Sequence, residues 1–182
     1  MSFPAYFDTS ALYGATLNDL LLWLADGGAF RPLWSADVMD ELERNLVKNG
    51  ETPDLVAKRI RTMTTYFPDA MVDGYADLIP GMTCDPKDRH VLAAAVRANA
   101  EVLVTFNLKD FPADSTKAFD IEVVHPDMFL LDQLDLFPGL VMTTLRRLVA
   151  IYENPAVTMD ELLQSLARAG VPKFSNEVPR YI

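Results

Sequence analysis

Short apolar runs alternate with amphipathic helical stretches along the first two thirds of the chain, and this alternation most narrows the folds open to it. Residues 3–7 read as a strand that ends on Asp8. A helix is expected over about 11–26, with Leu17, Leu20, Leu21 and Leu24 at the 3.6-residue period, Thr9 or Ser10 as its cap and Gly27-Gly28 as its stop. Residues 30–34 read as a second strand, and Ser35 caps a helix that runs to about Lys48. Pro53 opens another helix over 52–66, and Met71-Val72 reads as a short strand. Asp85-Pro86-Lys87-Asp88 starts an alanine-rich helix that runs to about Asn99, before two buried strands at 101–105 and 121–124. Such alternation implies a parallel sheet with helices on both faces. From about Pro126 onward the chain reads as helical, with a capping box at Thr158-Met159-Asp160-Glu161. Gly170 closes that helix, and the last dozen residues read as a loose tail.

With 182 residues, the chain suits one domain or one domain with a small appendage. Its 50% hydrophobic and 23% charged residues exclude a disordered or fibrous class. No apolar run approaches the roughly 18 residues that span a bilayer, and Met1-Ser2-Phe3-Pro4 lacks the basic start of a signal peptide, so no membrane association is expected. Cys84 is the single cysteine, which excludes an internal disulfide and a cysteine-based zinc site; a cytoplasmic location is the expectation. Lys and Arg number 16 against 26 Asp and Glu, a net charge of −10 that argues against a protein neutralising duplex phosphates.

In parallel α/β sheets chemistry gathers at the carboxyl ends of the strands. Asp8 ends the first strand, Glu41 lies one turn into the helix after the second, Asp88 stands in the first turn of the alanine-rich helix, and Asp110 follows the strand ending at Thr105. Each also fits an ordinary role: Asp8 as a helix-start acid, Glu41 as a surface residue, Asp85 and Asp88 as a capping pair, and Asp110 as a turn residue. Brought together, they would repel. At 4 Å a like-charged pair costs about 4 kcal/mol at an effective dielectric of 20. A hard divalent cation such as Mg²⁺ or Mn²⁺, which prefers oxygen ligands, removes that cost.

Four stretches carry a resemblance to the PIN-domain endoribonucleases, most of all to the VapC toxins of toxin–antitoxin pairs. They are Tyr6-Phe7-Asp8-Thr9-Ser10, then 35–42 from Ser35 to Leu42, then Asp88-Arg89-His90-Val91-Leu92, and last 103–111 around Asn107 and Asp110. The resemblance implies a three-layer α/β/α sandwich around a parallel sheet, with a nuclease domain at 1–127 and a helical extension packed on it at 128–182. It implies that Asp8, Glu41, Asp88 and Asp110 hold one or two Mg²⁺ or Mn²⁺ ions, and that Thr9 and Asn107 orient ligand or water. The implied activity is hydrolysis of phosphodiester bonds in single-stranded RNA, with a cognate antitoxin as partner. Domains of this kind often dimerise, and the apolar helices here permit a homodimer. VapC toxins usually end soon after their last strand, whereas about 55 residues follow Asp127 here, which suits a longer PIN subgroup.

His90 and His125 have no partner at metal-ligand spacing and read as structural. Arg89, Lys109 and Lys117 are candidate cations for substrate phosphates, although solvated surface charge accounts for each more simply. Tyr13 and Phe106 are candidates to stack a base, in competition with core packing. An alternative function is a catalytically silent PIN-like module that binds RNA or a partner, and another is a docking role for the helical extension alone. A phosphatase built on paired aspartates fails, because Ser10 stands where the second acid is needed.

Overall fold

The structure, a computed structural model, describes residues 2–182. Five strands, β1 (Pro4–Phe7), β2 (Arg31–Ser35), β3 (Met71–Val72), β4 (Val102–Val104) and β5 (Glu122–Val124), form one parallel sheet in the order β3-β2-β1-β4-β5. Around it lie α1 (Thr9–Leu12), α2 (Ala15–Asp26), α3 (Ala36–Lys48), α4 (Pro53–Tyr66), α5 (Arg89–Arg97) and α6 (Ala113–Thr116). The C-terminal part is helical: α7 (Pro126–Leu136), α8 (Pro138–Ile151), α9 (Met159–Arg168) and α10 (Pro172–Glu177). This is the expected α/β layering with a helical extension.

The strands are apolar on both faces because helices cover both. Ala5, Tyr6, Phe7, Trp34, Leu103 and Val104 are all buried. Phe7, Phe30 and Phe129 form a tight aromatic cluster, with ring centroids 5.0 to 5.7 Å apart. Phe129 belongs to α7, so the extension contributes to the same core as β1. Arg147 of α8 lies over the Trp23 ring of α2, 4.9 Å from its centroid. Among the described residues no single helix is long and apolar enough to cross a membrane.

Most expected caps form. The Ser35 side chain accepts from the Val38 amide, the Asp85 side chain accepts from the Lys87 amide, and Thr158 and Glu161 make the reciprocal capping box. Three expectations are corrected. The single helix over 11–26 is broken at Tyr13 and Gly14, where Gly14 is extended. The Arg59 guanidinium of α4 donates to the Leu12 and Tyr13 carbonyls, so these need no continuing helix. Neither Thr9 nor Ser10 caps the start; Asp8 stands at the cap position with its side chain turned to other partners. The tail is not loose either. Val171, Phe174 and Val178 are fully buried, and the Asp127 carboxylate accepts from the Lys173 and Phe174 amides at 3.0 and 2.8 Å. That long-range cap fixes α10 against α7.

The chain runs from β1 outward to β2 and β3, then returns to β4 on the other side of β1. The carboxyl ends of β1 and β4 therefore flank the point where the order reverses, the position at which such sheets bind ligands. The Asp8 amide donates to the Val104 carbonyl at 3.1 Å and holds the two strand ends together.

Candidate active site

Asp8 leaves β1 buried, at 3% exposure. Its Oδ2 accepts hydrogen bonds from Thr105 Oγ1 at 2.8 Å and Ser10 Oγ at 3.0 Å. Ser10 Oγ accepts from the Phe106 amide, and Thr105 Oγ1 accepts from the Asn107 amide, both at 3.0 Å. Two hydroxyls thus tie the loop after β1 to the loop after β4, and both aim a proton at the Asp8 carboxylate.

Thr9 faces the opposite wall, where its hydroxyl donates to Glu41 Oε2 at 3.2 Å. Glu41 sits on the inner side of α3, and His90 Nε2 lies 4.0 Å from the same Oε2. His90 Nδ1 is buried with no hydrogen-bond partner. An open cavity of about 710 Å³ lies between these walls, lined by Asp8, Thr9, Glu41, Asp88, His90 and Asn107 among others.

Asp88 and Asp110 arrive from two further loops, which are pinned by the Asp85 amide donating to the Asp110 carbonyl at 3.0 Å. Lys87 lies between the two acids. Its Nζ donates to Asp88 Oδ2 at 2.6 Å and to Asp110 Oδ2 at 2.7 Å, and stands 3.7 Å from Asp85 Oδ1. Burial holds the Asp88 carboxyl above the usual carboxylate range; the Lys87 ammonium pulls it back and the Asp8 charge adds to the rise. The same ammonium holds Asp110 below that range, and the two acids hold Lys87 above its own.

All four acids named from the sequence, with Thr9 and Asn107, therefore come to one edge of the sheet. Asp110 touches the group through Lys87 rather than by lining the cavity itself. The donors are carboxylate oxygens, the chemistry that suits Mg²⁺ or Mn²⁺, and an ammonium already stands between two of them. With the side chains so placed, no three acid, imidazole or thiol groups among the described residues are close enough to ligate a single ion. A small cation that keeps several waters fits this spacing better than one that needs an all-protein cage.

Sequence reasoning missed several residues here. Lys87 was visible as part of a helix start, but its bond to Asp110 spans 23 positions. Arg44, Asn45 and Lys48 line the cavity, whereas Arg89, Lys109 and Lys117 are not among its lining residues. The usable signal was their spacing from Glu41, which puts all four on one side of a helix. Phe106 packs edge-on against His125, at 4.9 Å between centroids, which is the core role for both.

Residues 5–109 match the family model described as the PIN domain, more than half of the chain. The chain belongs to the PIN-domain family. Asp8, Glu41 and Asp88 fall inside the matched stretch of the PIN domain, and Asp110 lies one residue beyond it. Residues 126–180 match a second model, the VapC50 C-terminal domain, which starts where α7 starts. The chain is 48% identical over 111 residues to a Mycobacterium tuberculosis protein named "Putative ribonuclease VapC50". That alignment covers 61% of this chain and 65% of the relative, so the chain spans less than two thirds of the curated relative it matches. No solved structure matches this chain.

Proposed function

We propose that this protein is a metal-dependent endoribonuclease that hydrolyses phosphodiester bonds in single-stranded RNA, the toxin of a VapBC-type pair with a cognate antitoxin as partner. The observation that carries the proposal is the convergence of Asp88 and Asp110 on the Lys87 ammonium, beside the Asp8 carboxylate whose charge acts on Asp88, from three separated loops at the reversal point of the sheet. The PIN-domain membership and the name of the mycobacterial relative support it. The matched C-terminal model, starting at residue 126, supports reading the chain as a nuclease domain at 1–127 with a helical extension at 128–182.

Asp8, Asp88, Asp110 and Glu41 would hold Mg²⁺ or Mn²⁺. Bound there, the ion supplies Lewis-acid polarisation of the phosphate and a water of lowered pKa. The chain's own groups do the rest. Thr105 and Ser10 fix Asp8 Oδ2 by donating to it, which keeps one carboxylate aimed at the cavity. Thr9 orients Glu41 Oε2 in the same way. Asn107, beside them, orients the scissile phosphate or a water. Crowded acids at a buried edge cost free energy until positive charge arrives, so the site favours a cation and its bound phosphate together.

The test is cleavage of end-labelled single-stranded RNA with Mn²⁺ or Mg²⁺, with and without EDTA. The wild type is expected to cleave in a metal-dependent way, and Asp8→Asn to lose at least a hundredfold in rate. Equal cleavage by both, or cleavage indifferent to EDTA, would overturn the assignment.

A further inference from the structure

Facing the acids across the cavity is one side of α3. Glu41, Arg44, Asn45 and Lys48 recur there at intervals of three, one and three residues, and all four line the cavity. Arg44 and Lys48 are exposed, and among the described residues neither is within ion-pair distance of a carboxylate. In a chain of net charge −10, two unpaired cations on the wall of an acidic cavity are not accounted for by solubility. They lie about 6 Å apart along the helix axis, at 1.5 Å of rise per residue, on the scale of one nucleotide step of an extended strand.

Tyr13 borders the same cavity and is held from two sides. Its hydroxyl accepts from Asn49 Nδ2 at 2.8 Å, directly beyond Lys48, and Arg59 Nη1 donates to its backbone carbonyl at 3.0 Å. The break between α1 and α2 places this partly buried ring at the rim, where it packs against the core on one side and borders the cavity on the other. An aromatic ring that is already fixed, and only partly buried, costs little entropy when a base stacks on it.

We propose that Arg44 and Lys48 form a phosphate track that leads a single strand of RNA along α3, away from Glu41, and that Tyr13 stacks one of its unpaired bases. This deepens the nuclease assignment and rests on it for the kind of nucleic acid. The track itself is a binding device and works without cleavage.

The experiment is fluorescence anisotropy with a labelled, unstructured RNA, the full chain and EDTA, across a salt series. Each phosphate of a single strand that the protein no longer neutralises lowers the slope of log affinity against log salt by about 0.7. Arg44→Gln and Lys48→Gln are each expected to lower it by that amount, whereas Lys117→Gln, outside the cavity, leaves it unchanged. Tyr13→Ala is expected to weaken binding roughly tenfold, and Tyr13→Phe, which keeps the ring and removes the Asn49 bond, to retain most of the affinity. Binding with these effects in a protein that never cleaves RNA supports the track and sinks the nuclease assignment. Cleavage of RNA with slopes unchanged in both α3 variants overturns the track and leaves that assignment standing. No RNA binding at all, or a duplex competing as well as a single strand, also overturns it.

Discussion

Lys87 Nζ bridges Asp88 and Asp110, at 2.6 and 2.7 Å from one oxygen of each. Both carboxylates are proposed to hold a metal, so the ammonium and a divalent ion compete for the same oxygens. Lys87 is 63% exposed at its side chain, so it swings away without unfolding anything. Lys87→Met should therefore bind Mn²⁺ a few-fold more tightly in a calorimetric titration, the scale of an exposed ion pair. Unchanged or weaker binding would mean that Lys87 assists the ion rather than standing in for it.

Gly170 closes α9 with φ at +105°, and a Cβ placed there would come within 2.6 Å of the Phe106 ring. Phe106 adjoins Asn107, and its amide is bonded to Ser10. Gly170→Ala should destabilise the protein by about 2 kcal/mol, from left-handed backbone strain and overpacking together. Urea unfolding measures this, and RNA cleavage by the variant should fall as well, because the displaced ring lies next to the site. Full stability with full activity would show that the extension does not brace the loop after β4.

The Asp127 carboxylate accepts from two amides at the start of α10. Asp127→Ala leaves both amides without that partner and should cost about 2 kcal/mol. Hydrogen exchange should localise the loss to α10 amides, with β1 and β4 remaining protected. Loss of protection throughout the sheet would show that α10 is not a separable local unit.

Burial raises the Asp19 carboxyl above its ordinary value, against the lowering effects of its bond from Tyr152 and the charge of Arg59. The folded protein therefore holds this proton more tightly than the unfolded chain does. Across the window from the ordinary carboxylate pKa up to the raised one, stability contributed by Asp19 falls as pH rises. Asp19→Asn does not titrate, so its stability should gain on that of the wild type as pH rises above the ordinary carboxylate pKa in denaturant titrations. Parallel pH profiles for the two proteins would refute the shift.

Much of this architecture is written locally. Ser35, Asp85 and the Thr158 box announce helix starts because their partners lie two or three residues away. Asp8 is legible because it follows a buried strand. What stayed hidden depends on distant partners. Arg59 breaks the expected helix at Tyr13 from 46 residues away, and Asp127 orders the supposed tail across a similar interval. Glu41 looks like a surface residue until Thr9 is seen to hold it. Arg44 and Lys48 share a helix side with Glu41, but their spacing becomes informative only once Glu41 itself is known to line the cavity.

The most direct measurement is a calorimetric Mn²⁺ titration of the wild type beside Asp8→Asn, Asp88→Asn and Asp110→Asn. If these side chains share one ion, the wild type binds Mn²⁺ and each substitution weakens that binding by tenfold or more while the protein stays folded. Binding of equal strength in all four proteins would contradict the account, since the acids would then be neighbours that hold no common cation.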